Sequence, residues 1–409
     1  KVRFMIIMGH IASVLMLIAT VFCSTDYLLS QEGQKWESDF STEVELEQRL
    51  FFNEGSNEGQ EQFFTSGALI PEFSLEDLEG KHQFDAKLFG RLAQHDGQRS
   101  HMDIRELFYR YKGKGWSILV GSNIVFWGVT ESNHLVDIIN QTDQVEGVDG
   151  EDKLGQPMVQ LTKNTNIGAF ELYYLPYARR RQFPGREGRF RFPQVLERDD
   201  IPFENDAEEF SPSYALRWSH YLGSFDLGLS NFYGVAREPQ FLGFSPETGI
   251  LLSYPVINQT GLDVQFTRDA LLLKLESIYR ASDDLEFFAF TAGFEYTFND
   301  IRSSGIDVGI VSEYLYDERG ELTFSGFDND VFMGTRVAFN DVQSTEFITG
   351  GIFDLSRSTY LYSFEGSRRI GKSWKLALEA RVFGNVSQEE LLFAFRQDDL
   401  FQIKLSKFF

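Results

Sequence analysis

Leu400-Phe401-Gln402-Ile403-Lys404-Leu405-Ser406-Lys407-Phe408-Phe409 reads as a strand with two chemically distinct faces. Phe401, Ile403, Leu405 and Phe409 fall on one side, and Gln402, Lys404 and Ser406 on the other, which is the two-residue period of an extended chain. Lys407 interrupts the apolar side near the end, where a long amine snorkels to a membrane surface. Trp374 to Gly384 repeats the pattern more cleanly. Trp374, Leu376, Leu378, Ala380 and Val382 make one face; Lys375, Glu379 and Arg381 make the other. A soluble sheet has such strands too, so the decisive observation is that the pattern recurs down the whole chain.

Composition narrows the class. The 409 residues include 41 Phe and 16 Tyr, 15% aromatic in all, at a mean hydropathy of -0.25. That is too polar for a bundle of membrane helices and unusually aromatic for a soluble enzyme. A transmembrane barrel gives this mixture, because lipid-facing and lumen-facing residues alternate and aromatic girdles mark both interfaces. No linker-like boundary divides residues 36–409, so one large closed sheet explains the length. The net charge of -23, from 61 acidic and 38 basic residues, argues against a nucleic-acid partner. The sole cysteine, Cys23, lies in the N-terminal apolar run, so the rest of the chain has no disulfide, thiolate chemistry or cysteine metal site. Lys1 and Arg3 followed by the apolar run to Cys23 are expected to form a signal peptide over 1–23, with 24–35 a short periplasmic segment.

From Trp36, where Val44, Leu46, Leu50 and Phe52 alternate with Glu43, Glu45, Glu47 and Arg49, eighteen strand-like runs follow. The expected fold is all-β: a transmembrane antiparallel barrel of about eighteen strands (16–20) over 36–409, with both termini periplasmic. Parity supports the count. Connections after even strands fall at 78–80, 113–115, 164–165, 223, 269, 299–302, 341–344 and 370–372, and all are brief. The long ones, 128–156, 178–212, 234–257, 317–329 and 385–399, all follow odd strands, as outer loops do. The apolar run Leu391-Leu392-Phe393-Ala394-Phe395 would break this parity as a strand, so it belongs to an outer loop with a short helical turn.

Two loops hold the candidate site. Arg179, Arg180, Arg181, Arg186, Arg189 and Arg191 are six arginines in thirteen residues of an acidic chain. If their loop folds into the barrel, these guanidinium groups form an anion-binding constriction, since Arg holds carboxylate or phosphate bidentately. Two other readings stand: internal pairing with Glu197, Asp199, Asp200, Glu204, Asp206, Glu208 and Glu209, or contact with lipopolysaccharide phosphates. Trp127, Asp137, Asn140 and Asp143 mark a second loop that helps to build the constriction. Asp and Asn at this spacing also tie a long loop to itself. Arg217, Lys274, Lys375, Glu379 and Arg381 are expected on the lumen wall. No metalloprotease, phosphate-loop, nucleophile-elbow or zinc pattern is present, and no cofactor is expected.

Asp103-Ile104-Arg105-Glu106-Leu107, Gly121 with Trp127-Gly128, and Asp137 through Asp143 resemble an uncharacterised family of Gram-negative outer-membrane barrels grouped near alginate-export porins. So do Leu175-Pro176 with Phe183-Pro184-Gly185, Gln259-Thr260-Gly261-Leu262-Asp263, and Lys274-Leu275-Glu276 before Tyr279-Arg280. The resemblance runs on to Asp398-Asp399 and Phe408-Phe409, and departs from the pattern at Asn140-Gln141, where Asn-Pro is expected. It implies an outer-membrane channel and no particular substrate. The aromatic end at Phe409 resembles the mark by which barrel-insertion machinery recognises its clients. The functional expectation is passive diffusion of small anionic or polar solutes through a loop-constricted lumen. A non-conducting adhesin or scaffold is the alternative, and a barrel enzyme lacks an evident Ser/His or Asp/His pair at the rim.

Overall fold

The computed structural model of the protein describes residues 36–245 and 249–409. The expected signal peptide and the segment 24–35 lie outside the described residues. The strands in chain order are β1 (Trp36–Phe51), β2 (Phe63–Asp77), β3 (His82–Ala93), β4 (Met102–Gly113) and β5 (Trp116–Asn123). β6 (Gln156–Thr165), β7 (Gly168–Leu175), β8 (Ser213–Leu222) and β9 (Phe225–Val235) follow. A short pair, β10 (Gln240–Ser245) and β11 (Gly249–Ser253), precedes β12 (Val256–Arg268), β13 (Leu271–Ala281), β14 (Glu286–Phe298) and β15 (Asp307–Asp317). The last five are β16 (Asn329–Ala338), β17 (Glu346–Asp354), β18 (Tyr360–Ile370), β19 (Trp374–Gly384) and β20 (Leu400–Phe408).

Among the described residues, eighteen of these strands form one antiparallel sheet, and only β10 and β11 pair apart from it. β1 pairs with β2 on one side and with β20 on the other, Leu46 opposite Leu405 and Leu50 opposite Phe401, so the sheet closes on itself and no edge is left. Short turns gather at one rim and long loops at the other. Gly223 (φ 62) and Asp269 (φ 53) supply the left-handed backbone that tight hairpin turns require. Leu391–Phe395 forms a 3-10 turn within the long loop 385–399.

The alternation that marks the sequence is the alternation of the wall. Leu46, Leu216, Leu229, Ile310 and Met333 are exposed on the outside, whereas their neighbours Glu45, Glu47, Ala215, Ser230, Val311 and Phe332 are buried within. Trp116, Phe225, Phe298 and Trp374 are exposed near the short-turn rim, and Tyr174, Tyr214, Tyr233, Tyr279, Tyr316 and Tyr360 near the long-loop rim. This apolar belt between two aromatic girdles is the outer surface of a membrane-spanning barrel.

The main differences from the sequence reading lie at the end of β5, at the turn before β15, which covers 299–306 rather than 299–302, and in the connection after β9. β5 ends at Asn123 rather than near Trp127, so the following connection covers 124–155. The connection after β9 contains the β10–β11 hairpin, where Phe241, Ile250 and Leu252 bury against Ala178, Phe183 and Tyr254 of the loops. Alternation there is driven by loop packing rather than by lipid, and so does not mark a wall strand.

Candidate functional site

The connection 124–155 does not lie over the rim; it folds into the lumen. Trp127, Val136, Ile138 and Ile139 form one apolar cluster with Leu119, Tyr173, Leu175, Phe232, Ile257, Ile278 and Phe287 of the wall. The barrel has a packed interior because this loop provides it. Asn140 fastens the loop's two ends: its Oδ1 accepts Val125 N–H at 2.9 Å, and its Nδ2 donates to Asn123 O and Leu154 O, each at 2.9 Å. The chain re-enters the wall at Gly155, where a Cβ would stand 2.0 Å from Ile104 O.

Two wall carboxylates hold the tip. Glu276 on β13 accepts Val129 N–H (2.6 Å), Thr130 N–H (2.9 Å), Thr130 Oγ1–H (2.7 Å) and Val136 N–H (3.1 Å). Glu313 on β15 accepts Glu131 N–H, Ser132 N–H (each 2.8 Å) and Ser132 Oγ–H (2.6 Å). Residues 129–136 are thus pinned to the wall opposite the one from which the loop departs. The other limb is tied to the near wall by charge: Asp143 meets Arg105 (2.5 Å) and His101 (3.0 Å), and Glu146 meets Arg91 at 2.8 Å. Behind Glu146, Arg91 and Arg99 bind Glu45 (2.9 Å) and Glu47 (2.8 Å) respectively. The sequence shows Glu276 as an inward polar residue of its strand, but not that it anchors a loop some 140 residues away.

His134 lies between Glu276 and Glu151, with ring nitrogens 4.0 and 3.9 Å from their carboxylates. Burial opposes its charged form, but the two carboxylates outweigh burial and raise its pKa to about 9. A raised folded-state pKa stabilises fully below the unfolded value near 6.5 and loses that contribution as pH climbs through about 9. We expect the thermal unfolding midpoint of the barrel in detergent to fall across that window. H134Q should flatten the dependence; an unchanged slope in H134Q would refute the assignment.

The structure separates the residues singled out by sequence. Trp127 is 5% exposed, edge-on to Tyr173 at 5.7 Å with Arg217 5.1 Å over its ring. Asp137 pairs with Lys153 at 2.9 Å. Of the six arginines, Arg181, Arg189 and Arg191 are buried among protein acceptors. Arg181 reaches Gln141 Oε1 (3.1 Å), Arg189 reaches Asp398 (2.6 Å), and Arg191 reaches the carbonyls of Arg186 (3.0 Å) and Phe192 (2.7 Å). These three face protein, not water, because the loop around them has its own apolar core and exposes acceptors to be satisfied. Arg179 binds Asp103 at 2.6 Å, and Arg180 meets Glu209 at 3.5 Å, the internal pairing its acidic segment allows. Arg186 is exposed.

On the wall, Arg217 makes a bidentate pair with Asp263 (2.7 and 2.8 Å), and Lys274 lies 3.8 Å from both Glu131 and Glu295. Arg381 meets Glu379 at 2.6 Å and also binds Asp149 of the infolded loop. Lys375 is exposed close to the short-turn end of β19.

Two cavities flank the loop. The first, about 370 Å³, lies between its 144–153 limb and β1–β4, β19 and β20; nine basic and eight acidic side chains line it. The second, about 440 Å³, lies beneath the loop toward the short-turn rim, against β4 and β6–β9. Ile124 borders both.

A closed, lipid-belted sheet with a loop folded into its lumen defines a membrane-spanning β-barrel of the outer-membrane type. Among solved structures, the chain is similar to Pseudomonas aeruginosa OccD3 (OpdP), at TM-score 0.53 and 9% identity over 92% of this chain and 91% of that one. It is similar also to Wzi, an outer-membrane protein involved in group 1 capsule assembly in Escherichia coli and a carbohydrate-binding β-barrel. There the TM-score is 0.54 and the identity 9% over 93% of this chain and 86% of that one. No protein-family model and no curated protein matches the chain.

Proposed function

We propose that the protein is an outer-membrane channel of a Gram-negative bacterium, through which small polar solutes, anions among them, diffuse passively past an infolded constriction loop. The observation that carries this reading is the pair of polar cavities that flank that loop, one on each side, with Ile124 lining both. A barrel whose lumen were filled for strength alone has no need of charged cavities on both faces of the filling. The near balance of basic and acidic groups in the first cavity favours weak charge selectivity. Any anion preference then rests mainly on Arg186, the exposed member of the cluster, since Arg179 and Arg180 are half-buried and paired with Asp103 and Glu209. In this reading the long loops face outward to the lipopolysaccharide, and the short turns, the start of β1 and the end of β20 face the periplasm.

Planar-bilayer recording of the purified chain tests it. We expect stepwise, nearly ohmic conductance with modest selectivity that is lowered further by R180S–R186S. A barrel that inserts and never conducts would sink the channel reading and leave the scaffold alternative.

A further inference from the structure

The second cavity contains a feature that the packing of the loop does not use. Phe126 is 53% exposed although its neighbour Trp127 is buried, and it projects into the lumen among the cavity's lining. Its ring is held, not free. His134 meets it edge-on at 4.9 Å and 80°, and Gly128 leaves room for both, since a Cβ there would stand 2.6 Å from Phe126 Cζ and from His134 Nδ1. One aromatic face is therefore presented to water in a fixed orientation inside a concavity of small-molecule size.

The groups around that face are of both hydrogen-bonding kinds. Gln160 and Gln265 offer amides, Asp226 a carboxylate and Arg110 a guanidinium, while Tyr221, 77% exposed, lines the same cavity nearer the rim. The remaining charges are spent at home: Arg217 on Asp263, and Glu171 on the Tyr173 hydroxyl. Two arginines stand against three carboxylates, so an anion finds no surplus of cations and a cation finds an excess of only one carboxylate. A ring with an apolar C–H face and hydroxyls around its edge, each both donor and acceptor, matches this arrangement.

We propose that the cavity beneath the infolded loop is a binding subsite for neutral sugars of the pyranoside class, with Phe126 as its stacking platform and Gln160, Asp226 and Gln265 as hydroxyl partners. The proposal rests on the lumen being open to solutes, as the channel reading holds. It assigns the chemistry of one station along the path.

The test uses the full chain in detergent, titrated with maltotriose and, separately, with benzoate, and followed by tryptophan fluorescence, since Trp127 borders the cavity. Maltotriose is expected to give a saturable change that F126A weakens by about tenfold and F126W preserves. In bilayers, maltotriose added on one side is expected to interrupt the current of the parent chain and not that of F126A. Equal maltotriose affinity in F126A, or a response to benzoate alone, would overturn the subsite. The two proposals fail separately: sugar binding without conductance removes the channel, and conductance indifferent to sugar removes the subsite.

Discussion

Replacing Glu276 and Glu313 together by alanine is expected to release the loop tip and enlarge the conductance while the barrel itself stays folded. Glu276 is 0% exposed and accepts four hydrogen bonds from the tip, and Glu313 accepts three. Hydrogen bonds to a charged acceptor contribute about 1.5–3 kcal/mol each, so the clamp outweighs the entropy of the few residues it orders. Its loss leaves buried N–H groups without acceptors, and the tip must move to find water. The expected record is a larger and noisier single-channel current, with faster amide exchange confined to 129–136. Unchanged current with unchanged exchange would show that the apolar cluster around Ile138 and Ile139 holds the loop unaided. E276Q is the gentler control, because an amide keeps one acceptor oxygen.

Removing Arg189 is expected to cost more in stability than any other single change in the long loops. Arg189 is 1% exposed at its side chain and binds Asp398 at 2.6 Å. It also donates to Asn53 O and Glu61 O (each 3.2 Å) and to Gln397 O (2.5 Å), and it lies 4.3 Å over the Phe51 ring. Asp398 in turn accepts Phe190 N–H at 2.8 Å. Taking away one member of a buried pair leaves the other charged and unsatisfied, at about 3–5 kcal/mol. R189A should therefore unfold at lower temperature or denaturant, with D398N milder and R189A–D398N less harmful than the sum. Additive losses would mean that the two side chains act independently.

The barrel was legible because lipid on one side and a polar lumen on the other impose a strict two-residue period. The turn chemistry at Gly223 and Asp269 punctuates it. Strand parity even placed Leu391–Phe395 in a loop, where it forms its 3-10 turn. The site was less legible, since its bonds join residues far apart in sequence. Nothing local to Arg189 indicates that its partner is Asp398, 209 positions on. The arginine cluster looks like a surface property when read along the chain, but three of its members are internal struts. The end of β5 was misplaced because Val125, Phe126 and Trp127 have strand-forming side chains that the loop turns inward instead.

The closing seam has a consequence for assembly. β1 and β20 are the first and last strands of the barrel, and Arg49 donates to Gln402 across their junction at 2.7 Å. Contacts of such long sequence separation form late. The infolded loop touches wall on both sides of the lumen, through Glu276 and Glu313 on one side and Arg91 and Arg381 on the other. Once the seam is shut, a folded segment of thirty-two residues has no lateral way in. A loop that docks while the sheet is still an open ribbon gives the wall a form to wrap around, as staves are drawn around one, and the last strand then seals a vessel already fitted inside; the other way in is along the barrel axis, from the long-loop rim.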